Sequence, residues 1–235
     1  MLHFACRRSL APLLVVCAFA GSREASAEIV TFQARGVVNR VLNFGQTDFG
    51  AYPAGLAAGD EFVLTYSIET STPAFLNDGA QARYGQAVTA LSFDLKDTHY
   101  DFGSDFFDEI YLANDQERLA GTFTDAFSLR ADQPIVAARP ITFDVWLSMA
   151  TMNAATPPDG LTSLDLTATP PNIAGFDGAA IQITAFLAST GQSNDLFGTV
   201  TCVSAVPVPA AAWLLASGLG GVLALRRRRA GLPLR

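Results

Sequence analysis

Phe62-Val63-Leu64-Thr65-Tyr66-Ser67-Ile68-Glu69 alternates large apolar side chains with a more polar set over eight residues. Neighbouring side chains on an extended strand point to opposite faces, so Phe62, Leu64, Tyr66 and Ile68 form a core face while Val63, Thr65, Ser67 and Glu69 form a solvent face. The same period returns in Leu91, Phe93 and Leu95 against Ser92, Asp94 and Lys96. It recurs in Ile141, Phe143, Val145 and Leu147 against Thr142, Asp144, Trp146 and Ser148, and again in Ile181, Ile183, Ala185 and Leu187.

Working outward, further strands are expected over 29–42, 110–112, 122–129, 161–167 and 197–203, giving about nine. Turn signals separate them: Ala58-Gly59-Asp60, Asn77-Asp78-Gly79, Pro157-Pro158-Asp159-Gly160, Pro170-Pro171 and Asp177-Gly178. Many short strands without helical periodicity predict an all-β body, a β-sandwich of jelly-roll-like type. The stretch from Thr98 to Glu117 interleaves six acids with Phe102, Phe106, Phe107 and Tyr111 and reads as a decorated loop. Loops raised on a rigid sandwich commonly carry binding residues, which makes it the first candidate for a functional surface.

Both ends of the 235-residue chain differ from this middle. Residues 1–27 carry Arg7 and Arg8, an apolar run from Leu10 to Ala20, then Ala25-Ser26-Ala27. That is the pattern of an export leader cut by signal peptidase after Ala27, with Ala25 and Ala27 as the small residues the enzyme requires. Arg7-Arg8 faintly matches a twin-arginine signal and Leu14-Val15-Val16-Cys17 a lipobox, but Val16 is too large for the latter and Cys17 lies inside the apolar run. At the other end, Ala210 to Leu225 is free of charge and is followed by Arg226, Arg227, Arg228 and Arg229. This predicts a short membrane span with a stop-transfer cluster held on the cytoplasmic side, before a short tail over 230–235.

The body between, residues 28–205, holds 21 acids against 7 bases, a formal charge of −14. Such a field disfavours nucleic acid and anionic headgroups. With Cys6 and Cys17 in the leader, Cys202 alone remains, so no disulfide forms within the body. The pattern around Val200, Cys202 and Val203 predicts a buried strand position for the thiol.

Catalytic and metal constellations are sparse. Asp97, Asp101 and Asp105 recur every fourth residue, which lacks the ligand spacing of a calcium-binding helix-loop-helix. Only a sheet-edge or inter-loop calcium site can use them, beside the plainer reading of a solvated acidic loop. Asp108 and Glu109 are neighbours on an extended segment and must face opposite sides, so they cannot flank a scissile glycosidic bond together. His99 is the one histidine of the body, no G-x-S-x-G elbow occurs, and zinc lacks ligands. No catalytic residue and no cofactor is assigned.

Val206-Pro207-Val208-Pro209-Ala210-Ala211-Ala212-Trp213, then the glycine-containing apolar span and the arginines, resembles the PEP-CTERM sorting signal, closest to its VPLPA variant. Val208 stands where that variant has leucine. The likeness covers about 25 residues, with a weaker one at Gly36-Val37-Val38 and Gly59-Asp60-Glu61-Phe62. The resemblance implies recognition by an exosortase-like membrane transpeptidase of a Gram-negative bacterium, with processing near Pro207-Val208-Pro209. It also implies a mature product in the cell envelope or extracellular matrix, associated with exopolysaccharide and biofilm. The function expected is thus that of an exported, non-enzymatic envelope protein. The alternatives are a carbohydrate-binding module stacking sugars on Phe106, Phe107, Tyr111 or Trp146, and a secreted glycan hydrolase.

Overall fold

The alternating stretch becomes strand β2 (Glu61–Glu69), in which Phe62, Leu64, Tyr66 and Ile68 are all but fully buried. The computed structural model describes residues 28–44, 49–134, 140–155, 158, 160–166 and 173–206. The leader residues Ala25 and Ala27 lie outside these, as do Pro207, Val208, Pro209, Ala210, Trp213, Arg226, Arg227, Arg228 and Arg229. Within the described residues the protein is all-β, as expected from its period-two pattern, and no helix there is long and apolar enough to cross a membrane.

The remaining strands are β1 (Ile29–Phe44), β3 (Leu76–Asn77), β4 (Gln81–Gly85), β5 (Val88–Leu95), β6 (Thr98–Asp101), β7 (Phe107–Leu119), β8 (Thr122–Asp132), β9 (Ile141–Ala154), β10 (Gly178–Leu187) and β11 (Gln192–Ala205). They form one antiparallel sheet in the order β3-β4-β7-β8-β9-β10-β11-β1-β2-β5-β6. β4 and β5 stand eight strand steps apart in that order, yet only Gln86 and Ala87 separate them in the chain. A flat sheet would set them roughly 38 Å apart, at about 4.8 Å per strand. Three Cα steps reach about 11 Å. The sheet must therefore curl until its two ends meet, and the curled interior is the core.

Asp108 on β7 holds this crossing. Where the chain leaves one ladder for the other, the amides of Ala87 and Val88 lose their strand partners, and both donate to Asp108 Oδ2 at 2.9 and 3.1 Å. Gln86 takes a left-handed backbone conformation (φ 59°) at the same point. Phe93, Phe102 and Tyr100 pack on Phe143 of β9 with ring centroids 5.3 to 6.3 Å apart. These contacts join the β5–β6 end of the sheet to its middle.

Two glycines make room for the first ring of β2. Gly36 on β1 and Gly198 on β11 both face Phe62, and a Cβ on Gly36 would lie 2.0 Å from the Thr199 carbonyl oxygen and 2.6 Å from the Phe62 ring. Gly36 pairs with Phe62 and Val37 with Glu61, while the Val38 amide donates to Asp60 O and the Gly59 amide to Val38 O. The segments Gly36-Val37-Val38 and Gly59-Asp60-Glu61-Phe62 are thus each other's partners.

Three expectations are corrected. The stretch from Thr98 to Glu117 is no loop: it contains β6 and most of β7, with only residues 102–106 between them. Asp101 and Asp105 are exposed and Glu109 pairs with Arg83 on the outer side, while Asp108 shares its side of the strand with the buried Ile110 and Leu112. The β7–β8 register also slips between Ala113 and Gln116, where the Asp115 amide donates to the buried Asp125 carboxylate (2.7 Å), and this breaks the alternation. Residues 161–166 form no strand; the Leu161 amide is taken by Asp125 Oδ2 and the Leu164 carbonyl by the Tyr84 hydroxyl, while Leu161 and Leu166 are buried. Cys202 is exposed. The β1–β11 register pairs Arg35 with Cys202 but Gly36 with Val200, leaving Thr201 as an extra residue that turns Cys202 outward and Val203 toward the core.

Replacing Asp108 with Ala leaves two buried amides without acceptors and is expected to cost about 2 kcal/mol or more in urea denaturation. Gly36→Ala is expected to cost about 3 kcal/mol in the same assay, because the neighbour it meets is backbone. Gly85→Ala, whose Cβ would meet nothing closer than 3.7 Å, is expected to change stability by less than about 0.5 kcal/mol.

Candidate functional site

The outer face of β8 to β11 is where side chains suited to ligand contact gather, and register shows how. Arg130 pairs with Trp146, Trp146 with Gln182, Gln182 with Phe197, and Phe197 with Arg40. One row across five strands therefore consists of side chains with planar end groups. The next row in one direction is Asp132, Asp144, Thr184 and Asp195; in the other it is Ser128, Ser148, Ala180 and Thr199. A line of broad groups is thereby flanked by acids on one side and by small residues on the other.

Trp146 is 49 % exposed. Its orientation is fixed, because indole Nε1 donates to Ser128 Oγ at 2.7 Å. A trough of about 290 Å³ lined by Arg130, Asp144, Trp146, Gln182 and Thr184 runs along the acidic side. A second, of about 200 Å³, shares Trp146 and Gln182 and continues past Ser148 and Ala180 to Phe197. Arg130 reaches the Asp144 carboxylate with both Nη2 (2.8 Å) and Nε (3.3 Å), and the Arg40 guanidinium lies 4.5 Å from the centre of the Phe197 ring. Gln182 Nε2 donates to Thr184 Oγ1 at 3.3 Å, and Asp195 Oδ1 is buried with no hydrogen-bond partner among the described residues.

Electrostatics on this face follow from the acidic row. Burial, and then the neighbouring Asp144 carboxylate, push Asp132 above the usual carboxylate range, with Arg130 pulling the other way. The hydrogen bond to Asp144 and its charge hold Arg130 more firmly protonated.

No family model, curated protein or solved structure matches the chain at a significant level.

The other aromatics expected to contact a ligand are less suited to it. Phe106 is half-buried, edge-on to Phe102 with centroids 6.1 Å apart. Tyr111 lies beneath the Arg83 guanidinium, which is itself paired to Glu109 at 3.0 Å. Phe107 is 71 % exposed at the start of β7 and pairs with Asp132, at the far end of the row beside the planar one and two strands from Trp146. Asp108 and Glu109 do face opposite sides, one bound to backbone amides and the other to Arg83. His99 stands on strand β6 rather than in a loop, its Nδ1 2.6 Å from Asp94 Oδ1 on an exposed surface. Asp101 accepts the Gly103 amide, and among the described residues no group of three or more His, Cys, Asp or Glu side chains is gathered closely enough to hold a metal ion.

Sequence reading singled out Trp146 but not Arg130, Gln182, Phe197 or Arg40. The available signal was the water-facing set Thr142, Asp144, Trp146 and Ser148, in which a tryptophan is out of place.

The raised Asp132 carboxyl binds its proton more tightly in the folded state. Its contribution favours the fold at pH values below about 3.9, the unfolded value, and is lost as pH rises through the folded value. Asp132→Asn is expected to raise the melting temperature at pH 7 relative to the parent, with the difference vanishing toward pH 3 to 4 in a pH series of thermal melts.

Proposed function

We propose that this protein is an exported, non-enzymatic component of the cell envelope or extracellular matrix of a Gram-negative bacterium. In this reading the leader is removed by signal peptidase after Ala27. The uncharged apolar segment over 210–225 then holds the chain transiently in the inner membrane, with Arg226 to Arg229 as the stop. An exosortase-like transpeptidase recognises the segment from Val206 to Trp213 and processes it near Pro207-Val208-Pro209, and the released body associates with exopolysaccharide.

The observation that carries this reading is the pairing of a cleavable leader with the three-part tail. The body's strands run from Ile29 to Ala205, beginning two residues after the expected leader cut and ending one residue before the motif. The Val206 amide still donates to Thr31 O (2.8 Å), so the start of β1 and the end of β11 lie side by side.

The body itself is taken as a sandwich-like curled sheet. Its strands β7 to β11 pair as successive hairpins, a simpler order than an interleaved jelly roll, and this leaves their outer face uninterrupted. The half-buried Asp108 and the buried Asp125 carboxylates are committed to backbone amides, which supports a scaffold over a hydrolase.

Deletion of residues 206–235 in a host with an exosortase-like system is expected to abolish envelope retention and release the body. Mass spectrometry of the full-length protein from the same host is expected to find a mature C-terminus near Pro207 to Pro209. Unchanged retention of the deleted form would sink the sorting claim.

A further inference from the structure

We propose that the outer face of β8 to β11 is a platform for an uncharged polysaccharide, whose sugar rings stack on Trp146 and Phe197 while Arg130, Asp144 and Gln182 hydrogen-bond to the hydroxyls. The inference rests on the proposed function only for its partner class, a glycan; its placement stands on side-chain geometry.

A pyranose ring presents an apolar C–H face and a rim of hydroxyls. It is matched by a flat aromatic with planar polar groups beside it, an apolar body with a wet edge. The central row supplies that sequence of groups: guanidinium, indole, amide, phenyl, guanidinium. Trp146 is held in one orientation by Ser128, so little conformational freedom is lost when a ring settles on it. The two troughs meet at Trp146 and Gln182, giving space on both sides of the indole rather than a closed pocket suited to a monomer.

Direction and charge narrow the occupant. Trp146 on β9 and Phe197 on β11 are separated by two strand spacings, roughly 9–10 Å. A chain that uses both rings must run across the strands, along the row. A polyanion is opposed by the charge of −14 on the body and by Asp132, Asp144 and Asp195 in the adjoining row. The cations of the central row are already engaged, Arg130 with Asp144 and Arg40 over Phe197. What remains is hydrogen-bonding capacity suited to neutral hydroxyls.

Affinity electrophoresis of the full chain in detergent tests this, with hydroxyethylcellulose, pullulan or galactomannan in the gel and alginate as the polyanionic comparison. At least one neutral polymer is expected to retard the protein and alginate is not. Trp146→Ala is expected to weaken retardation about tenfold and Phe197→Ala less, in line with the worth of a stacking contact, whereas Phe107→Ala leaves it unchanged.

A second readout covers loss of folding in the alanine variants. The chain has two tryptophans, so Trp213→Phe leaves Trp146 as the reporter, and its emission is expected to shift when the neutral polymer is added. Absence of retardation by all three neutral polymers overturns the proposal. Equal retardation by alginate does so too, as does binding that leaves both the Trp146→Ala mobility and the Trp146 emission unmoved. Tail deletion is expected to leave retardation intact, so failed sorting with retained binding counts against the proposed function alone, and the reverse counts against the platform alone.

Discussion

The two-residue passage through Gln86 and Ala87 is the constraint on which the architecture depends. It joins strands that stand near opposite ends of the sheet order, so the sheet has no flat solution. Passing between ladders strips two amides of partners in a region where water cannot replace them, since Ala87 is fully buried and Val88 nearly so. Asp108 supplies both acceptors from one carboxylate oxygen. Burial raises the proton affinity of that carboxyl while the amide hydrogen bonds lower it. The crossing is thus an electrostatic compromise, and once it is made, Phe93, Phe102 and Phe143 meet across the interior.

Inside and outside of the curled sheet obey opposite rules. On the inner face β1 and β11 give up side chains at Gly36 and Gly198 so that the Phe62 ring lies flush against backbone. On the outer face the same strands carry Arg40 and Phe197. The planar row is a consequence of pleating: with the core positions of β8 to β11 assigned to Leu129, Leu147, Ile183 and Leu196, their neighbours must project outward at matching heights. Antiparallel register then lines those neighbours up across the sheet.

Much of the strand content was legible in the sequence where alternation is clean, as in β2, β5, β9 and β10. It was hidden where charge interrupts it. β4 offers only Ala82 and Tyr84 as inward residues, and β7 carries Asp108 and Glu109 beside Ile110. Cys202 illustrates a different limit, since one extra residue at a register slip reverses every later side chain and leaves composition unchanged. The outer row was invisible for a related reason. Arg130, Trp146, Gln182 and Phe197 are far apart along the chain, and only cross-strand pairing makes them neighbours. The expected leader and tail rest on composition alone, and they lie almost wholly outside the described residues.

The sheet ends on very short strands, two residues in β3 and four in β6. An open sheet edge is a template onto which another chain can add a strand, and the length of exposed ladder sets how readily it does so. Here β3 covers part of β4, and the Phe75 amide extends that pairing to Arg83. On the far side β6 covers Ser92 to Leu95 of β5, and the Phe102 amide closes on Leu91. What is left to copy amounts to a few residues at each margin. Among the described residues little open ladder is therefore left for strand addition by another chain.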